Sequence, residues 1–140
     1  MEDYRKIGFE PDEIEEVLRK VRLAIKRGHF YVCLSGEGRA KNRDFAEKYK
    51  LNEKEIGKIV AGLKYDEFVH ARESTNETFK GDLLYVFVRE LYFNDSETER
   101  NFHEKVYIKL SLKEKGDGEH VVVISFHSAN KHYEYLFRTN

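Results

Sequence analysis

Two runs in the last third of the chain carry the side chains best suited to chemistry. In Val106-Tyr107-Ile108-Lys109-Leu110-Ser111-Leu112 every second residue is apolar, so a strand turns Val106, Ile108, Leu110 and Leu112 to a core and Tyr107, Lys109 and Ser111 outward. In the next run, residues 120–128, the same logic predicts Val122, Ile124 and Phe126 in the core and Val121, Val123, Ser125 and His127 outside. If Ile108 faces Phe126 and Leu110 faces Ile124, Tyr107 lies opposite His127 and Lys109 opposite Ser125, with facing Cβ atoms about 5 Å apart. A register displaced by two residues keeps the alternation and parts the tyrosine from the histidine.

Tyr, His and Lys on one face suit metal-free cleavage of RNA by its own 2′-hydroxyl. That reaction needs a base for the hydroxyl proton, an acid for the leaving 5′-oxygen and cations against the charged transition state. His127 titrates near neutrality, Tyr107 can orient or donate, and Lys109 or Arg89 can supply charge. The competing reading is structural, since a histidine near the end of an exposed strand is commonly a plain surface residue.

Charge is segregated along the chain. Lys+Arg number 25 against Asp+Glu 26, but Arg19, Lys20, Arg22, Lys26, Arg27, Arg39, Lys41 and Arg43 fall in one window that holds a single acid, Glu37. Such a window suits a phosphate backbone, with Arg39, Lys41 and Arg43 as the candidate RNA contacts; a solvated helix face is the alternative. His29, His70, His103, His120, His127 and His132 include no pair three or four apart, so spacing predicts no metal site, and no cofactor motif is present. Gly36-Glu37-Gly38-Arg39 is too short for a phosphate loop and reads as a turn.

The elements that position these groups follow from periodicity. Pro11, acidic residues after it and Gly28 bound a helix over residues 11–27, with Ile14, Val17, Leu18, Val21, Ala24 and Ile25 as its buried stripe. Residues 29–34 predict a short extended segment around Cys33, residues 42–50 a second helix, and 53–63 a third, capped by Asn52 with Glu55 three residues on. Residues 66–72 read as another helical turn or two, and 73–77 as a polar loop. From Leu83 the period becomes two, predicting strands over 84–93, 105–113, 120–128 and 132–138. The whole chain, 1–140, therefore reads as one α+β domain: a helical half over about 11–72 packed on one face of an antiparallel sheet of about four strands over about 83–138.

One cysteine excludes an internal disulfide and points to a reducing compartment. The first residues, Met1 to Lys6, lack a signal-peptide pattern, and no run of apolar residues is long enough for a membrane span, which predicts a cytoplasmic protein without membrane contact.

Several strings resemble the MqsR family of toxin ribonucleases, in the RelE-like superfamily of toxin-antitoxin systems. They are Ile25-Lys26-Arg27-Gly28, Phe45-Ala46-Glu47-Lys48-Tyr49-Lys50-Leu51, Ile59-Val60-Ala61-Gly62-Leu63 followed by Asp66-Glu67-Phe68, Val106-Tyr107-Ile108-Lys109-Leu110 and Val123-Ile124-Ser125-Phe126. The resemblance implies a RelE-like fold, an mRNA interferase acting without metal or cofactor, and a cognate antitoxin protein as partner. It places the family's strand tyrosine on Tyr107, the basic residue after its Ser-Phe pair on His127, and the lysine after its Asp-Phe segment on His70; Arg89 stands near the position of a family glutamine. Two other readings stay open, a non-catalytic RNA- or protein-binding module of the same fold and a small domain whose last strand pairs with another protein's edge.

Overall fold

The computed structural model describes residues 9–35, 38–74, 82–95, 98 and 100–138. Residues 1–8 and parts of the expected loops, Gly36-Glu37, 75–77 and Ser96-Glu97, lie outside these. In chain order the elements are helix α1 (Pro11–Lys26), strand β1 (Phe30–Val32), helices α2 (Ala40–Lys48) and α3 (Glu53–Ala61), a 3-10 turn (Tyr65–Glu67), and strands β2 (Phe68–Glu73), β3 (Leu83–Asp95), β4 (Arg100–Lys115) and β5 (Gly118–Ser128). The fold is α+β with its helices N-terminal.

The helices form where the apolar stripes predict. α1 begins on Pro11 and buries Ile14, Leu18, Val21 and Ala24. α3 starts with the expected capping box: Asn52 Oδ1 accepts from Glu55 N at 2.8 Å and Glu55 Oε1 accepts from Asn52 N at 3.0 Å. Gly57 is buried on α3 because Phe30 passes so close that an added Cβ would stand 3.2 Å from its ring.

The sheet corrects the sequence reading. Among the described residues it has five strands, not four, in the order β1-β5-β4-β3-β2, and it is mixed, because β1 runs parallel to β5 while the other neighbours are antiparallel. The expected helical extension over 66–72 is the 3-10 turn followed by β2. Lys64 N donates to Glu67 Oε1, which closes the turn, and Phe68 then enters the ladder beside Phe87. Pairing with β3 overrides the local helical pattern.

The expected strand over 132–138 is absent, and topology gives the reason: β5 already lies between β1 and β4, so the chain after it has no free edge there. It crosses the sheet face instead. Ala129 N donates to Lys105 O, Leu136 N donates to Phe68 O at 3.0 Å, and Leu136 and Phe137 pack on the main core.

That core lies between the helices and one sheet face, and includes Phe68, Phe87, Val106, Ile108, Leu110 and Phe126. The expectation of Val122 and Ile124 in it is corrected. Lys109 pairs with Ser125 but Leu110 pairs with Val123, so Ile124 is an extra residue in a bulge, and Val121 and Val123 turn inward instead. On the other sheet face Val69, Val86, Val88 and Tyr107 form a smaller cluster under Ala129, Tyr133 and Tyr135 of the tail. Among the described residues no helix is long and apolar enough to cross a membrane.

Candidate functional site

Three cross-strand rows fill the sheet face turned away from the helices. Val88, Tyr107 and His127 form one; His70, Val86, Lys109 and Ser125 form the next; Arg72, Leu84, Ser111 and Val122 form the third. The expected pairings of Tyr107 with His127 and of Lys109 with Ser125 are both present. The imidazole stacks on the phenol with centroids 5.4 Å apart and planes 16° from parallel. Tyr133 also packs on Tyr107, at 5.2 Å, and leaves it only 8% exposed, so the face is partly covered by the tail rather than fully open.

Hydrogen bonding selects the histidine tautomer. His127 Nδ1 lies 3.0 Å from Ser128 O, which can only accept, so Nδ1 carries the proton and Nε2 the lone pair in the neutral ring. Burial pulls His127 below the ordinary imidazole pKa; the Ser128 contact opposes this, and the cations Lys41 and Lys109 add to the lowering. The ring is therefore neutral at neutral pH, with Nε2 free to accept a proton.

The neighbours are tuned in complementary directions. Burial, then Arg72 and Arg39, push Lys109 below the usual lysine range, which makes its ammonium a better acid. Burial and the neighbouring Tyr133 push Tyr107 up, against Arg72, so it stays protonated as a donor. Beside His127, a cleft of about 280 Å³ opens between α2 and the end of β5, with Lys41, Asp44, Lys48, Ser128 and Asn130 in its walls.

Asn42 sets α2 in place. Its Nδ2 donates to Cys33 O at 2.7 Å and Ile124 O at 2.9 Å, and its Oδ1 accepts from Phe126 N at 3.0 Å. The buried amide thus satisfies backbone groups at the β5 bulge and beyond β1, and fixes the helix turn that carries Lys41 toward His127.

The other sequence candidates divide. His70 shares the face but sits on β2, two strands from Lys109, about 10 Å away at the usual strand spacing. Arg89 belongs to the helix side: its Nη1 donates to Ile59 O at 2.5 Å, its Nε lies 3.9 Å from Glu67, and Gly62 leaves the space its guanidinium fills. Arg43 donates to Leu34 O at 3.4 Å and lines a separate hollow with Glu47 and Lys50.

Arg72, Tyr133 and Asn42 were missed. Reading 68–73 as a strand gives the signal for Arg72, because His70 and Arg72 then alternate onto one face. No family model, curated protein or solved structure significantly matches the chain.

Proposed function

We propose that the protein is a metal-independent endoribonuclease of the RelE-like, MqsR-like kind, cutting single-stranded mRNA by 2′-hydroxyl attack. The observation that carries this reading is the stack of a neutral, half-buried His127, its lone pair on Nε2, on the buried Tyr107, with Lys109 on the next row of the same face. N-terminal helices packed on an antiparallel meander, and the strings that resemble MqsR, support the family assignment.

In the proposed reaction His127 Nε2 takes the 2′-hydroxyl proton and the 2′-oxygen attacks phosphorus. Lys109 and Arg72 counter the charge that builds on the phosphorane oxygens. The bond to the 5′-oxygen breaks as Lys109 or Tyr107 supplies its proton, leaving a 2′,3′-cyclic phosphate and a 5′-hydroxyl. Each proton-transfer group contributes about 10²- to 10⁴-fold in rate. Lys41 and Arg39 hold the flanking phosphates. Neutralisation by a cognate antitoxin rests on the resemblance alone.

The low exposure of Tyr107 under Tyr133 favours one rival, a module of the same fold that binds RNA through its cations without cutting it. End analysis of a labelled transcript incubated with the protein and a chelator separates the two: cyclic phosphate ends support cleavage, and intact but retained RNA supports binding.

A further inference from the structure

Although no two histidines are spaced as a helical metal pair, the fold gathers His29, Asp117 and His120 so that one ligand atom from each lies within 4.8 Å of the others. The three come from separate elements. His29 sits between α1 and β1, Asp117 in the β4–β5 turn, and His120 near the start of β5, seven residues and roughly 20 Å along the strand from His127. Val121 N donates to His29 O at 2.9 Å, which ties the α1–β1 junction to β5 at this point.

We propose that His29, Asp117 and His120 bind one divalent transition-metal ion of the Zn²⁺ class, with water completing the coordination shell. Both Nε2 atoms face the same carboxylate, His120 at 2.7 Å from Oδ1 and His29 at 3.7 Å from Oδ2. His29 Nδ1 lies 3.3 Å from Glu119 O, so its proton sits there and the Nε2 lone pair is left for a metal. A backbone carbonyl on the far nitrogen is the usual outer partner of a metal-bound imidazole. Two imidazoles and one carboxylate suit Zn²⁺, Co²⁺, Ni²⁺ or Cu²⁺, whereas Ca²⁺ and Mg²⁺ want oxygen donors throughout.

The geometry needs a small closure. Metal–donor bonds of about 2.0–2.2 Å in a tetrahedron place donors about 3.4 Å apart. The imidazoles are stacked with centroids 4.2 Å apart and planes parallel, so one ring must turn to converge its lone pair with the other. Asp117 is on the surface, with 64% of its side chain exposed, and can follow. The local field is mixed: Lys20 pairs with Glu119 at 3.7 Å, and the Arg27 guanidinium lies beside Gly118, so the carboxylate of Asp117 is the anion that favours a cation.

A metal here would staple the three-residue edge strand β1 and the end of α1 to the β4–β5 turn. Its role is stability, separate from the Tyr107–His127 face. Any ion that binds only the folded chain raises the unfolding midpoint by mass action.

The test is titration of the tag-free protein with Co²⁺, followed by visible d–d absorption, and thermal unfolding with Zn²⁺ or with a chelator. One Co²⁺ per chain, displaced by Zn²⁺, and a higher midpoint with Zn²⁺ are expected. His120→Ala and Asp117→Asn should each weaken binding by more than the about 10- to 100-fold typical of an outer partner. Asp117→Asn changes an exposed turn residue without changing its shape, so it reports on binding even where His120→Ala impairs folding. Absence of binding by the wild-type chain, or binding that both folded variants retain undiminished, would overturn the proposal.

Discussion

The imidazole of His127 on β5 stacks on the ring of Tyr107 on β4, directly across the ladder, with centroids 5.4 Å apart. The pairing gives each ring what its proposed role requires. Burial and the cations Lys41 and Lys109 keep the histidine neutral, the Ser128 carbonyl holds its proton on Nδ1, and burial likewise holds the tyrosine proton in place.

The neutral state of His127 has identifiable sources besides burial. Lys41 and Lys109 both disfavour the imidazolium, so its folded pKa lies below the ordinary 6.5. Cleavage that needs the free base falls as pH drops through that lowered value. Lys41→Ala removes one cation; the midpoint of the His127 NMR titration should rise toward 6.5, and the acidic limb of the rate profile should move up with it. A midpoint that stays put would contradict the electrostatic account.

Asn42 joins α2 to the β5 bulge through hydrogen bonds to Ile124 O and Phe126 N. Asn42→Ala strands buried backbone groups of Ile124, Phe126 and Cys33, each costing about 1–3 kcal/mol where water does not reach it. A stability loss of at least about 2 kcal/mol is expected by urea denaturation. Activity should fall further than stability alone explains, since Lys41 moves with the helix. An unchanged denaturation midpoint would show that the network carries little.

Arg72 influences Tyr107, Lys109 and Tyr133 together. If it meets a phosphate, Arg72→Ala should weaken single-stranded RNA binding across sequences and reduce the slope of log K against log salt by about 0.7. Arg89→Ala should leave that slope alone and lower stability, because Arg89 bonds Ile59 O and faces the buried carboxylate of Glu67. Equal effects on the slope would contradict this division of roles.

Where side chains repeat with a fixed period, the sequence is legible. The stripe Ile14, Leu18, Val21 and Ala24 and the Asn52–Glu55 cap follow from local spacing, and the Tyr107–His127 pairing is one of two registers that the alternation allows. What escaped depends on neighbours distant in the chain. β2 reads as helical until β3 offers it an edge; the Ile124 bulge is paid for by Asn42 from another element; and the tail becomes a cover because β1, lying parallel beside β5, takes the edge a further strand would need. His29, Asp117 and His120 escaped for the same reason, since their spacing along the chain carries no sign of their meeting.

The central claim is the base role of His127. Purified wild-type and His127→Ala proteins would be incubated with an end-labelled single-stranded transcript, with chelator present, both alone and with ribosomes, after circular dichroism shows both folded. The account predicts cleavage by the wild type that leaves 2′,3′-cyclic phosphate ends, reduced about 10²-fold or more in the variant. Equal cleavage by the two proteins, or none by the wild type under either condition, would contradict it.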